Sequence, residues 1–272
     1  MNSVADYDFV DQIGAGNHGS FWRSRRPQRL DGIDEEYVAV KTLDHSATDQ
    51  DFGRMADELR TYASVESPYL AEVIDAGHQD GQLFYTTRYF HDGSLGSPRT
   101  TLSPNEAGTV VRHAALGAHG LHEAGVAHRD IKPENIMLSR ANGAVSGQLG
   151  DLGLAQVINP GLTLTGLGPV GTIEYLAPEL VHGDGASRAS DIWALGMTLH
   201  RALTGQTVYA DLPTGSQLEA LRYVMAAERV VDPSLPAIVR ELVARCLEED
   251  PSDRFLTAEE LAEAIEKGDF GG

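Results

Sequence analysis

The segment that most constrains this chain is His128-Arg129-Asp130-Ile131-Lys132-Pro133-Glu134-Asn135, which runs into the apolar Ile136-Met137-Leu138 and is followed later by Asp151-Leu152-Gly153. Charged and amide side chains are crowded here between a helical pattern and an apolar strand, an arrangement that a solvated loop does not require. Asn135 and Asp151 offer two separated oxygen ligands. That is what Mg²⁺ takes when it is shared with a nucleotide, because the ion keeps its waters and accepts few protein donors. Asp130 is then free to orient a hydroxyl and accept its proton.

Two further patterns lie upstream. Gly14-Ala15-Gly16-Asn17-His18-Gly19 has a glycine spacing shared by dinucleotide-binding turns and by hairpin turns that bind nothing. Ser20-Phe21-Trp22-Arg23 continues as strand where a Rossmann unit would open a helix, so the glycines belong to a β-hairpin. Lacking a Cβ, they let backbone N–H groups approach anionic oxygens closely, although a plain turn fits the residues equally well at this point. Val38-Ala39-Val40-Lys41 sets one lysine at the end of an apolar strand, and a buried ammonium needs an anionic partner. Glu58, in the helix that follows, is the expected partner.

Short runs rich in aromatic and β-branched residues read as strands at 7–13, 19–24, 37–43, 70–76 and 82–88, with a helix over 51–65. From Ser103 onward helical periods dominate. Ser103, Pro104 and Glu106 open a helix that runs to about Ala124, and further helices are expected at 190–203, 217–226, 236–247 and 258–266, the last capped by Thr257 and Glu260. Residues 162–171, rich in Gly and Thr, read as a loop. A flexible polar joint at 91–97 is the expected seam between a strand-rich lobe and a helix-rich one, and ligand clefts form at such seams.

Composition narrows the function classes. A formal net charge of −19 disfavours a nucleic-acid or anionic-membrane partner, since neutralising phosphates needs clustered Lys and Arg. The single cysteine, Cys246, can form no internal disulfide and no sulfur-ligated metal cluster, which fits a reducing, cytoplasmic setting. No uncharged apolar run reaches the ~18 residues of a membrane-spanning helix, so no direct membrane contact is expected. His119 and His122, one helical turn apart, and His113 before them lack a convergent further ligand and read as core or surface histidines.

The motifs GAGNHG, VAVK, HRDIKPEN, DLG and Ala177-Pro178-Glu179 follow the order and spacing of the protein-kinase signature set. Over residues 7–267 the chain resembles a eukaryotic-type (Hanks-type) serine/threonine protein kinase catalytic domain of the bacterial sort. The resemblance implies an α+β bilobal kinase fold. Its N-lobe (7–91) would be a five-stranded antiparallel sheet with one regulatory helix, and its C-lobe (92–267) mainly helical; residues 1–6 and 268–272 would be flexible tails.

It also implies roles, residue by residue. The loop Gly14, Ala15, Gly16, Asn17, His18 and Gly19 would cover the ATP phosphates. Ile13, Phe21 and Ala39 would pack on the adenine from above and Met137 from below, while the backbones of Arg88 and Phe90 would bond its edge, with Thr87 as gatekeeper. Lys41, paired with Glu58, would contact phosphates; Asp130 would be the catalytic base and Lys132 would steady the transferring group. Asn135 and Asp151 would hold Mg²⁺ (or Mn²⁺). Asp191 resembles the family's anchor for the catalytic-loop backbone, and Glu179 and Arg254 its buried ion pair. Lys132 and Thr172 are what kinases of serine and threonine carry, so the expected partner is a protein substrate with a Ser or Thr acceptor. Arg129 marks control by activation-loop phosphorylation, with Thr163 and Thr165 as the expected acceptors.

Leu152 stands where the family usually has Phe, Phe21 where it has a small β-branched residue, and Arg88 where it often has an acid; none removes a catalytic group. The rival readings are a pseudokinase that binds nucleotide without turnover and a small-molecule phosphotransferase. ATP binding without transfer would favour the first, and phosphate appearing only on a metabolite the second. No motif speaks to oligomeric state.

Overall fold

The computed structural model describes residues 3–16, 19–33, 35–46, 49–151 and 170–271. In chain order the N-lobe contains β1 (Ser3–Val4), β2 (Tyr7–Gly16), β3 (Gly19–Arg25), β4 (Tyr37–Ser46), α1 (Asp49–Ser64), β5 (Val73–Gln79) and β6 (Gln82–Arg88). These strands form an antiparallel sheet of order β1-β2-β3-β4-β6-β5. It has six strands rather than the expected five, because Ser3–Val4 pair with Asp8 and Tyr7 and bury Val4. The N-terminal residues described are therefore packed and not a flexible tail. The expected strand at 70–76 begins later, at Val73, and Leu70 instead bridges to Leu149.

Alternation along β4 divides its side chains between two environments. Val38 and Val40 face a small cluster with Val4, Tyr7 and Phe84, whereas Leu43 joins Met55, Leu59, Tyr62, Leu83 and Tyr85 in the main core. Lys41 shares the second face, so the strand delivers its ammonium into the space below the sheet.

The C-lobe opens with two short strands, β7 (Gly93–Ser94) and β8 (Ser97–Pro98), then α2 (Pro104–Glu123), β9 (Ile136–Ala141) and β10 (Ala144–Leu149). Ser94 pairs with Met137, so the segment expected to be a flexible joint is tied to the C-lobe sheet. The helices that follow are α3 (Val170–Ile173), α4 (Pro178–Val181), α5 (Arg188–Thr204), α6 (Gln217–Ala226), α7 (Ala237–Cys246) and α8 (Ala258–Glu266). Of the loop expected at 162–171, the residues before 170 lie outside those described, and Gly171 falls within α3.

The caps explain where the helices start. Ser103 and Glu106 form a capping box on α2, and Thr257 accepts from the Glu260 N–H on α8. The start of α5 is earlier than expected because Ser187 and Ser190 cap it reciprocally. Helix α5 crosses α7 so closely that a Cβ on Gly196 would lie 2.3 Å from Cys246 Cβ. Cys246 is fully buried there, and burial pushes its thiol up to about 12. At the C-terminus Phe270 is buried against Gly108 of α2 and its N–H donates to Asn105 Oδ1 at 3.1 Å, so residues 268–271 are docked where a flexible tail was expected.

Candidate active site

Helix α2 ends at Glu123, and the chain then passes beneath the cleft through residues 127–132 and a 3₁₀ turn, Pro133–Asn135, into β9. Its backbone is pinned by Asp191 of α5, whose carboxylate accepts from the N–H groups of His128 at 2.7 Å and Arg129 at 2.9 Å and lies 2.8 Å from His122 Nε2. These bonds hold Arg129 at φ 74, a left-handed conformation that costs a side-chain-bearing residue about 1–3 kcal/mol. The His128 ring is wholly buried, with Nε2 at 3.0 Å from the Gly150 carbonyl and Nδ1 facing the Asp130 N–H at 3.4 Å. Those partners assign a neutral ring protonated on Nε2, and burial pushes its pKa down, outweighing the carboxylates of Asp191, Asp130 and Asp151.

Above this support the side chains converge. Lys132 Nζ donates to both Asp130 carboxylate oxygens, at 2.8 and 2.9 Å, and lies 3.4 Å from Thr172 Oγ1. Burial lowers the Lys132 pKa, but Asp130 more than offsets this and the net shift is upward. Asn135 Nδ2 donates to the Asp130 carbonyl at 2.7 Å and to its Oδ2 at 2.9 Å, which leaves the Asn135 amide oxygen to accept. The Gly150 N–H donates to the Asn135 carbonyl at 2.9 Å and ties this loop to the residue before Asp151. Asp151, at φ 57, accepts at Oδ1 from Lys41 Nζ and from Tyr85 Oη. Burial raises its pKa, yet the charge and hydrogen bond of Lys41, the Tyr85 bond and Lys132 together hold it below the usual carboxylate range.

The expected Lys41–Glu58 pair is not formed. Lys41 bonds Asp151, and Glu58 Oε1 lies 2.6 Å from Arg129 Nη1. Each enclosed charge has taken an opposite charge within reach, and desolvation makes an unpaired one costly. Tyr62 Oη, one turn beyond Glu58 on α1, sits 2.8 and 3.0 Å from the carbonyls of Ala71 and Leu149, which fixes the helix against the end of β10.

At the glycine-rich hairpin Gly16 pairs with Gly19, and the intervening Asn17 and His18 lie outside the described residues. Gly19, at φ 142, could carry no side chain, since a Cβ would fall 1.9 Å from the Thr42 carbonyl oxygen. Gly14 is different. A Cβ there would make only ordinary contact with Phe21 at 3.6 Å, so the fold does not dictate its glycine. Ile13 is 42% exposed and Phe21 and Met137 are half-buried, while Ala39 is buried. The Arg88 side chain turns to Glu35 and Glu72, at 3.0 and 3.3 Å, leaving its backbone and that of the half-buried Phe90 at the lobe junction.

The structure thus brings Asp130, Lys132 and Asn135 into one hydrogen-bonded group and joins Lys41 to Asp151. Leu152, Gly153, Thr163 and Thr165 lie outside the described residues. Sequence reasoning passed over Tyr85 and Tyr62, and it read His122 as a core or surface histidine without its Asp191 partner. Counting register across β4 and β6 from Lys41 would have found Tyr85, which stands directly opposite it. The scaffold expectation holds for Arg254, which donates to Glu179 through two nitrogens at 2.7 and 2.9 Å and stacks 4.9 Å from the Trp193 ring centre. Among the described residues no cluster of acidic, His or Cys side chains resembles a further metal site, and no helix is long and apolar enough to cross a membrane.

Known proteins resemble this chain in sequence and in fold. The chain is 31% identical to the serine/threonine-protein kinase PknE of Mycobacterium tuberculosis over 262 residues, covering 93% of this chain and 44% of that protein. It is 30% identical to the serine/threonine-protein kinase PknJ of the same organism, covering 98% of this chain and 46% of that one. The chain therefore spans less than half the length of these relatives. The crystal structure of the M. tuberculosis PknI kinase domain superposes with a TM-score of 0.68 at 25% identity, covering 97% of each chain. The chain belongs to the protein kinase domain family, whose model matches residues 7–264.

Proposed function

We propose that this chain is an ATP-dependent serine/threonine protein kinase that transfers the γ-phosphate to a Ser or Thr hydroxyl of a protein substrate. The observation that carries the reading is the Asp130 group: a mostly enclosed carboxylate, 20% exposed, held by Lys132 and Asn135, with Thr172 beside the lysine. Asp130 accepts the proton of the attacking hydroxyl, and Lys132 neutralises charge on the transferring group. Lys41 leaves Asp151 for the phosphates, and Glu58 exchanges Arg129 for Lys41. The hairpin with Gly14, Gly16 and Gly19 lies over the phosphates; Ile13, Phe21, Ala39 and Met137 bracket the adenine.

A divalent cation fits the donor set, because the Asn135 amide oxygen and Asp151 Oδ2 are hard oxygens and, among the described residues, neither is used by the hydrogen bonds that hold these side chains. Asn135 and Asp151 would hold Mg²⁺ or Mn²⁺, which supplies charge neutralisation at the phosphates. Thr163 and Thr165 are the acceptors in control by autophosphorylation, with Arg129 as the receiving cation.

The test is radiolabelled ATP with Mg²⁺, comparing wild type with Asp130→Asn and mapping the labelled sites. Label on serine or threonine in the wild type alone supports the reading. ATP binding with no transfer by the wild type to itself or to a general protein acceptor would reject it, and mapped sites that miss both threonines would remove them as the switch.

A further inference from the structure

Tyr85 is 3% exposed, yet it carries a hydroxyl into the place where the two lobes bring their charges together. In β6 it stands directly opposite Lys41 of β4, and Lys41 stands opposite Phe21 of β3. Directly opposed residues project from the same face of a sheet, so the three side chains form one row. Lys41 Nζ lies 4.9 Å from the centre of the Phe21 ring and 6.0 Å from that of Tyr85. Leu83, two positions earlier on the same face of β6, is a plain aliphatic core residue. Apolar packing alone therefore does not account for the phenol, since burying a hydroxyl without a partner costs about 1–3 kcal/mol.

Its partner is Asp151. Tyr85 Oη donates to Oδ1 at 2.7 Å, and the Lys41 hydrogen bond goes to the same oxygen. Neither donor uses Oδ2. We propose that Tyr85 is a positioning residue for Asp151: its hydroxyl fixes the rotation of the carboxylate through Oδ1 and keeps Oδ2 available to the divalent cation. This rests on the metal reading of Asn135 and Asp151.

Lys41 cannot serve in that capacity throughout a reaction cycle, because its ammonium is required at the phosphates. When it moves there, Oδ1 loses a donor, and Tyr85 is the one that stays, held by strand register rather than at the end of a flexible chain. Hydrogen-bond donors behind a ligating carboxylate set its orientation, and their removal typically weakens metal binding about 10–100-fold.

The test measures Mn²⁺ affinity by electron paramagnetic resonance in the complex with a non-hydrolysable ATP analogue, for wild type, Tyr85→Phe and Asp151→Asn. Tyr85→Phe is expected to weaken Mn²⁺ about 10-fold or more while metal-free affinity for the analogue changes less than about twofold. In steady state the KM for the metal should rise, with kcat largely restored at saturating Mn²⁺; a cooperative thermal transition confirms that the variant is folded. Mn²⁺ affinity of Tyr85→Phe within about twofold of wild type, with Asp151→Asn losing the metal, overturns the role of Tyr85 alone. Wild-type Mn²⁺ binding that Asp151→Asn leaves intact overturns the metal reading and this proposal with it.

Discussion

The loop around Asp130 and the two N-lobe elements that face it reach their positions by different routes. In the C-lobe, Asp130, Lys132 and Asn135 are near neighbours in sequence, and Asp191 and the His128 ring lock their backbone from below. Little can rearrange. In the N-lobe, Lys41 arrives on a strand and Glu58 on a separate helix, and each is paired with a C-lobe residue rather than with the other. A constellation built within one short segment is complete as soon as the segment folds. One assembled from separate elements depends on how those elements are set, so its charges adopt whichever opposite partner lies within reach.

The largest test of this contrast is stability. Arg254→Met strands the Glu179 carboxylate in a site where the arginine side chain is fully enclosed, and should lower unfolding free energy by about 3–5 kcal/mol in urea titrations. The N-lobe comparison is Arg29, which donates to Asp6 at 2.9 and 3.1 Å and to Asp75 at 2.5 Å with 43% of its side chain exposed. Arg29→Met should cost no more than about 1 kcal/mol, because solvent screens such pairs. Equal losses would mean that the C-lobe anchor is no stiffer than the N-lobe surface.

Lys41→Met comes next and acts on chemistry. Phosphate transfer should fall about 10²- to 10³-fold, as for removal of one preorganised charge-stabilising group. The resting pairing can be read separately from the rate by double-mutant cycles on stability in nucleotide-free protein. Lys41 and Asp151 should show a coupling of about 0.5–3 kcal/mol, whereas Lys41 and Glu58 should add within about 0.5 kcal/mol. A larger coupling to Glu58 would replace the resting arrangement by the one expected from sequence.

That expectation failed for a physical reason that also bounds what the chain's letters reveal. Motif spacing places Asp130, Lys132 and Asn135 together because few bonds separate them, and alternation along β4 puts Lys41 on the core face. Both were legible. The partner of Lys41 was not, since three anions on three elements (Glu58, Asp130 and Asp151) compete for three nearby cations (Lys41, Arg129 and Lys132), and local pattern does not rank tertiary distances. Strand β1 escaped for a related reason: Ser3–Val4 has too few residues for a period to show, and only its pairing with β2 defines it. Phe270 likewise looks like part of a Gly-rich tail until Gly108 of α2 offers it a flat seat. Tyr85 carried a signal in its register, but that signal appears only when β4 and β6 are aligned.

The smallest effect returns to the C-lobe support. Burial pushes the His128 pKa below its ordinary 6.5, so the folded protein keeps the ring neutral where the unfolded chain would protonate it. The unfolded state therefore binds more protons below about pH 6.5, and stability rises with pH in that window. The contribution is fully present above about 6.5 and declines as pH falls toward the depressed folded value, by less than about 1.4 kcal/mol per pH unit for one group. Urea unfolding of wild type and His128→Tyr from pH 7.5 to 5.5 isolates it: the variant should lose up to one proton's worth of slope below pH 6.5 and none above. An unchanged slope would mean that the ring protonates as readily in the fold as outside it. The bond from the Asp130 N–H to Nδ1, which needs an unprotonated Nδ1, could then not be what holds the loop beneath Asp130.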